Sequence, residues 1–115
     1  MKEKVYELEF YGKKHRIVLA KTSYSNNDSI AVIMLEQTED GEEEWGVLTI
    51  NLDGQCIPAD STSAYIDTNN LGNDILKWLK KNKIATVSPF LGFSGYCSYP
   101  YVMFTKQALD AMRAL

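Results

Sequence analysis

Residues 30–52, with the sequence IAVIMLEQTEDGEEEWGVLTINL, hold two strand patterns joined by the dipeptide Asp40-Gly41. Ile30–Leu35 is an almost unbroken apolar run, which is typical of a central strand covered on both faces. Trp45–Leu52 alternates between two faces and is predicted to return as one strand. Because Asp-Gly between two strand patterns is a strong signal for a tight turn, the stretch predicts a β-hairpin near the centre of a sheet.

Further strand patterns lie on both sides of this hairpin. Val5–Phe10 and His15–Ala20 alternate around a glycine turn, which predicts a second hairpin. Ala64–Ile66 is predicted to be a short strand, and Tyr99–Thr105 is predicted to be the last one. Proline cannot donate a hydrogen bond to a neighbouring strand, so Pro100 predicts an edge or a bulge at the start of that strand.

Two helical patterns are inserted among these strands. The first follows Asn70 or Asn73, either of which can cap a helix, and ends near Asn82. The second follows Thr105 and carries an apolar stripe to the end of the chain. This order predicts an α+β fold, with a meandering antiparallel sheet of five to six strands and two short helices, the second at the C-terminus. We expect residues 1–115 to form a single domain.

The composition is ordinary for a globular protein, with 45% hydrophobic and 23% charged residues in 115. The chain begins with a strand pattern rather than a signal region, and no apolar run is long enough to span a bilayer. We therefore expect a cytoplasmic protein with no membrane partner and with reduced cysteines. The net charge of −3 disfavours nucleic acid, because phosphate binding usually requires a basic surface.

The charges are distributed unevenly along the chain. Carboxylates crowd the central hairpin turn in a set that we call the acidic tip: Glu39, Asp40, Glu42, Glu43 and Glu44. Lysines crowd the first predicted helix between Lys77 and Lys83. One interpretation is a solvated turn and a helix end whose lysines complement its dipole. The other is that the acidic tip steers a basic partner towards the protein.

Residues 95–104, GYCSYPYVMF, form an aromatic segment that contains Tyr96, Tyr99 and Tyr101. So much aromatic surface beside turn residues is costly to leave in water. Tyrosine suits both a core and an interface, because it combines a large apolar ring with one polar group. The segment therefore either closes the core or presents a contact face to a partner, and the sequence leaves both open.

Four stretches together resemble one protein family: Phe10–Lys14, Leu48–Leu52, Ala64–Asn70 and Ser94–Pro100. The family is DUF4313, a group of small uncharacterised proteins encoded largely on conjugative and other mobile elements of gut Firmicutes and their relatives. The resemblance implies this genetic setting and brings no catalytic residues. Within it, Asp67–Asn70 leads from a strand into a helix, where such side chains cap the first turn or hold a polar ligand.

Residues suited to catalysis or metal binding are few and scattered. His15, Cys56 and Cys97 are the candidates for a small Cys/His hydrolase or a zinc protein, but they lack the usual paired ligand spacing and any flanking signature. We expect no cofactor and no metal. A second candidate chemistry is a stacking platform for single-stranded nucleic acid. It would combine Lys13, Lys14 and Arg16 with Tyr96, Tyr99 and Tyr101.

The sequence thus favours a non-enzymatic, cytoplasmic protein-interaction module. In the setting that the resemblance implies, this is a mobile-element accessory or a counter-defence protein, such as an anti-CRISPR inhibitor that docks on a basic host nuclease. The acidic tip would steer it and the tyrosines would anchor it. One alternative is a single-stranded or duplex nucleic-acid-binding accessory factor of conjugative transfer, acting through Lys13–Arg16 or Lys77–Lys83. A homodimer that pairs along Tyr99–Met103 also stays open.

Overall fold

The computed structural model describes residues 3–115, and Met1 and Lys2 of the expected domain lie outside them. Within that range the chain is α+β, with nine strands and three short helices. The strands are β1 (Val5–Phe10), β2 (Lys13–Ser23), β3 (Ile30–Thr38), β4 (Gly41–Val47), β5 (Thr49–Ile50), β6 (Ser63–Ile66), β7 (Ala85–Ser94), β8 (Cys97–Phe104) and β9 (Arg113–Ala114). The helices are α1 (Thr68–Leu71), α2 (Asp74–Lys81) and α3 (Lys106–Ala111). None of these helices is long and apolar enough to cross a membrane.

The predicted antiparallel character is confirmed, but the strands build two sheets rather than one. Within residues 3–115, the nine strands and three helices exceed the five to six strands and two helices predicted. The first sheet has the order β1-β2-β3-β4, with β9 added beside β2. The second sheet has the order β5-β6-β8-β7. All pairs are antiparallel except β2 with β9. The predicted hairpins β1–β2 and β3–β4 are confirmed, and both belong to the first sheet.

The chain passes between the sheets at Leu48, where the predicted strand Trp45–Leu52 divides. The Leu48 N–H donates to the Val32 carbonyl at 2.8 Å, and the Leu48 carbonyl accepts from the Asp67 N–H at 3.0 Å. The Leu48 side chain is fully buried in the main core. The alternating pattern continues through this residue, so hydrophobic periodicity does not mark the point where the chain leaves the first sheet.

The main core contains side chains from both sheets and from α2. On β8 and β6, alternate residues such as Val102 and Ala64 face this core. The opposite face of the second sheet supports a smaller cluster. The members of that cluster are Leu52, Tyr65, Tyr99 and Tyr101. The second sheet is therefore covered on both faces, by the main core on one side and by residues of the β5–β6 loop on the other.

The predicted cap Thr105 and a capping side chain within Asp67–Asn70 are confirmed, but the prediction that Asn70 or Asn73 caps the first helix is wrong, since Asn70 lies inside α1. The Asp67 carboxylate accepts from the Asn70 N–H and so caps α1, and the Thr105 hydroxyl accepts from the Ala108 N–H and caps α3. Asn73 precedes α2 without a side-chain hydrogen bond. Helix α2 is held in place instead by its apolar face and by Trp78, whose indole N–H donates to the Glu7 carbonyl at 2.8 Å.

The prediction of a C-terminal helix through Leu115 is wrong, because α3 ends at Ala111. Met112 has an extended backbone (φ −75°, ψ 138°), and the next residues pair with β2. The Leu115 N–H donates to the Lys21 carbonyl at 3.0 Å, while the Lys21 ammonium donates to the Leu109 carbonyl at 3.1 Å. These contacts hold residues 113–115 against β2 in place of a further helical turn.

Candidate interaction surfaces

The acidic tip lies at the turn between β3 and β4, and all five of its residues are exposed. Thr38 pairs with Gly41 across this turn, so Glu39 and Asp40 occupy its outermost positions. Strand β4 is also an edge of the first sheet. Glu43 lies opposite Glu36 on β3, which adds a further carboxylate to this end of the sheet.

Glu42 differs from the other residues of the acidic tip because it is bound within the protein. Its carboxylate accepts two hydrogen bonds from the Arg113 guanidinium, at 2.6 and 2.7 Å, and a third from Gln37 at 3.0 Å. The hydrogen bonds from Arg113 lower the pKa of Glu42 from 4.5 to about 2. Arg113 also binds Glu3, whose pKa it lowers. Glu42 therefore ties the tip to both ends of the chain and is not available to a partner.

The aromatic segment enters β8, and most of it closes the core. Tyr99 and Tyr101 are buried, with exposed fractions of 6% and 8%. The Tyr101 hydroxyl donates to the Ser63 hydroxyl at 2.6 Å, and its ring packs against Tyr65 with a centroid separation of 5.1 Å. The prediction that these two tyrosines anchor a partner is therefore wrong for this fold. Only Tyr96, at the turn, is fully exposed.

The edge proposed for a homodimer, Tyr99–Met103, is also not an edge. Strand β8 lies between β6 and β7 in the second sheet. The predicted irregularity at Pro100 is confirmed, because it faces Leu91 where the register between β7 and β8 shifts after Val87. The missing N–H of Pro100 thus coincides with a bulge in the neighbouring strand.

The end of the β7–β8 hairpin carries large apolar side chains in water, and we call residues 90–98 the distal hairpin. Phe90, Leu91 and Phe93 are 55%, 48% and 59% exposed. Leu91 and Phe93 are two residues apart on one strand, so they project from the same face. Gly92 between them faces the other way and lies directly against the Tyr65 ring and the Leu52 side chain. The distal hairpin is therefore fixed on one face and exposed on the other.

The backbone edge of the distal hairpin is closed to further strands. Gln55 accepts from the Phe93 N–H and donates to the Phe93 carbonyl, both at 2.9 Å, in the manner of a neighbouring strand. The Ser88 hydroxyl accepts from the Phe90 N–H at 3.2 Å. Pro89 between them has no N–H to offer. Natural sheet edges are protected from pairing with further strands by such devices.

A second exposed feature is a cavity of about 840 Å³ that we call the aromatic pocket. Its walls come from four segments: the β1–β2 hairpin, the end of β4, and the start and end of α1. It is lined by Phe10, Tyr11, Lys13, His15, Trp45, Gly46, Val47, Asp67, Asn70 and Leu71. The Phe10 ring is nearly perpendicular to both the Tyr11 ring (79°, centroids 4.5 Å apart) and the Trp45 ring (89°, 5.0 Å).

The polar groups of the pocket are held by hydrogen bonds. The His15 Nδ1 and a Glu36 carboxylate oxygen are 2.6 Å apart, and both side chains are mostly buried. Since a carboxylate only accepts, the His15 Nδ1–H is the donor in this contact. Asp67 accepts from the backbone and side chain of Asn70. The Asp67 carboxylate is therefore an acceptor fixed in the lining of the pocket.

The Cys/His candidates are not gathered into one site. His15 lies in the first sheet against Trp45, Cys97 packs on the tyrosine cluster of the second sheet, and Cys56 is exposed in a loop. Within residues 3–115, no three His, Cys, Asp or Glu side chains are grouped so that they could hold a metal ion. The predicted stacking platform is likewise divided, because Tyr99 and Tyr101 belong to the core.

Sequence reasoning missed the aromatic pocket. Its three aromatic residues appear in the sequence as one strand end, one turn and one return strand, and only the folded chain brings them together. The local signal in the sequence is a tyrosine at a turn position, Tyr11. In the structure this residue has a positive φ of 49° and is 92% exposed. A bulky residue seldom adopts that conformation, so its presence at this turn is unusual.

Comparison with known proteins connects the chain to one group. No curated protein and no solved structure matches it. One family model matches residues 18–114, described as a domain of unknown function, DUF4313. The match includes three of the four stretches on which the resemblance was based, and it begins after the fourth, Phe10–Lys14. The match spans most of the 115 residues, and the chain therefore belongs to the DUF4313 family.

Proposed function

We propose that this protein is a cytoplasmic, non-enzymatic interaction module that binds another protein through the distal hairpin. The observation that supports the proposal is the exposure of Phe90, Leu91, Phe93 and Tyr96 on one hairpin whose backbone edge is closed. Aromatic side chains dominate the energetic centres of protein interfaces. Clustered large apolar groups in water are also the usual mark of a binding surface.

The distal hairpin is the centre of the proposed interface rather than all of it. A stable interface removes about 800 Å² from each partner, and one large aromatic side chain contributes at most about 150–250 Å². Because three of the four side chains are already half-covered, the hairpin supplies only part of that area. Neighbouring surface must add the rest.

The acidic tip gives the partner a preferred charge. Within residues 3–115, Glu39, Asp40, Glu43 and Glu44 make no ion pair, whereas Glu42 is bound to Arg113. A cluster of unpaired carboxylates attracts a basic surface and accelerates encounter. In its finer form the proposal is a mobile-element accessory or counter-defence protein, similar in action to an anti-CRISPR inhibitor, that docks on a basic host nuclease.

The main test is affinity capture of the tagged protein from a nuclease-treated host lysate. Two variants, Leu91→Ser and Phe93→Ser, remove apolar surface from the distal hairpin. Leu115→Ser is the matched control, because Leu115 is 65% exposed and lies at the end of the chain. We expect the wild type and the control to retain one stoichiometric protein that both hairpin variants lose. Equal retention by all four proteins contradicts the assigned surface, and loss of every partner after nuclease treatment favours the nucleic-acid alternative.

A second test addresses the acidic tip with the captured partner. Glu39, Glu43 and Glu44 are replaced by lysine, while Glu42 is kept because Arg113 depends on it. The control is Asp110→Lys on α3, which reverses one exposed charge elsewhere. We expect association at low salt to slow by about tenfold or more, with the difference shrinking as salt is added. An unchanged association rate at low salt would rule out steering by this tip.

A further inference from the structure

We infer that the aromatic pocket is a binding site for an arginine side chain that the partner protein supplies. The inference deepens the proposed function, and it rests on that function for the source of the arginine but not for the binding itself. It is carried by the perpendicular aromatic walls, by the Asp67 carboxylate fixed in the lining, and by the backbone conformation of Tyr11.

The walls suit a flat cation. Phe10 is perpendicular to Tyr11 and to Trp45, so ring faces and ring edges meet around one space. A cation is attracted to the face of an aromatic ring, most strongly to tryptophan. The guanidinium group is planar and more weakly hydrated than an ammonium group, so it can lie flat on such a face at a lower desolvation cost.

The Asp67 carboxylate in the lining suits a hydrogen-bond donor. Asn70 holds this carboxylate in place with hydrogen bonds from its backbone N–H and its side chain. Guanidinium has five N–H groups and no acceptor, so it can donate to this carboxylate.

The surrounding charges also favour a cation over a phosphate. Among the described residues, the lining contains one lysine or arginine, Lys13, and it is exposed. Against it stand Asp67 in the lining, Glu36 behind His15, and Glu43 across the strand from Glu36. A nucleic-acid strand would bring its phosphates towards this excess of carboxylates, whereas an arginine is attracted by it.

The turn at Tyr11 is a third observation, independent of the lining. Phe10 pairs with Lys13, and both residues between them have positive φ values, 49° for Tyr11 and 77° for Gly12. Such two-residue turns favour Asn-Gly, and a tyrosine at the first position is strained. The residue is 92% exposed even though its ring packs edge-on against Phe10, so burial offsets little of that strain. Strained backbone conformations cluster at binding sites, which supports Tyr11 as the outer wall of the pocket.

The test uses the full chain and Nα-acetyl-arginine methylamide as the probe, followed by the indole N–H signals in NMR spectra. The chain has two tryptophans, of which Trp45 lines the pocket and Trp78 is buried against Glu7. We expect saturable movement of the Trp45 signal and little movement of Trp78. The citrulline analogue has the same shape without the charge, so it should bind about tenfold more weakly. Equal binding of both probes overturns the inference.

The variant Tyr11→Asn separates a binding role from a structural one. Asparagine relieves the strained turn, so the midpoint of thermal unfolding should rise, while affinity for the arginine probe falls about fivefold. A variant that gains stability and keeps full affinity contradicts the inference. Competition of the arginine probe by oligothymidylate would also overturn it, by assigning the pocket to nucleic acid.

The outcomes for the pocket and for the proposed function are distinguishable. If the arginine probe fails to bind while the hairpin-dependent partner is still captured, the inference is wrong and the interaction module stands. If the probe binds but no protein partner is found, the assignment of the arginine to a partner protein is wrong. The ligand of the pocket is then a free guanidinium compound. Binding of the probe together with loss of the partner in Trp45→Leu supports both.

Discussion

The substitution Gly92→Ala measures how tightly the aromatic segment closes the second core. A methyl group at this position would lie 2.6 Å from one ring carbon of Tyr65, 2.8 Å from another, and 2.8 Å from the Leu52 side chain. Tyr65 is 1% exposed, and its hydroxyl donates to the Ile57 carbonyl, so the ring cannot turn aside without losing that bond. Forcing a carbon into such a core costs about 1–3 kcal/mol, and we expect the upper value here.

The assay is urea unfolding, supported by thermal unfolding. A loss of about 3 kcal/mol should lower the thermal midpoint by roughly 10 °C in a chain of this length. The matched control is Gly46→Ala, whose new methyl group would be 3.7 Å from the end of Met34, an ordinary contact. We expect the control to stay within about 1 kcal/mol of the wild type. If the two variants are equally stable, Gly92 does not lie against Tyr65 as described.

Three further predictions concern single contacts. Tyr65→Phe leaves the Ile57 carbonyl without its donor and should lower the free energy of unfolding by about 1–2 kcal/mol, and an unchanged urea midpoint would contradict this hydrogen bond. Glu42 has a folded pKa of about 2 against an ordinary 4.5, so its contribution to stability is complete above pH 4.5 and is lost as the pH falls towards 2. The free energy of unfolding of Glu42→Gln should depend less on pH in that window than that of the wild type. Identical pH profiles of the two proteins would show that the Glu42–Arg113 pair does not form. Gln55→Ala opens the backbone edge at Phe93 and should increase self-association measured by light scattering. The control Gln107→Ala on α3 should not. Equal self-association of the two variants would refute the edge-closing role of Gln55.

Local patterns in the sequence predicted local structure well. The hairpins, the cap Thr105, a capping side chain within Asp67–Asn70, and the irregularity at Pro100 depend on neighbouring residues and are found where expected. The division into two sheets was missed, because Leu48 continues the alternation of its strand while the backbone changes partners. Periodicity reports which faces are buried but does not report which strand lies alongside.

Features built from distant residues were outside the reach of the sequence. Arg113 binds Glu3 and Glu42, so the fate of one carboxylate in the acidic tip depends on a residue 71 positions away. Tyr96 and Tyr99 belong to the same aromatic segment, for which the sequence predicted either a core or a contact face. In the structure Tyr99 is buried in the core and Tyr96 is exposed to water. The difference comes from the β7–β8 register, which places Tyr99 within the paired strands opposite Gly92 and leaves Tyr96 in the turn.

The most direct measurement for the proposed interface is amide hydrogen exchange of the protein alone and bound to the protein it captures. If the distal hairpin is the contact surface, amides in residues 90–98 should become protected on binding, with a smaller effect at the acidic tip. The same experiment with Leu115→Ser should give the same pattern. Protection confined to other parts of the chain, with exchange in residues 90–98 unchanged, would contradict the assignment of the distal hairpin as the binding surface.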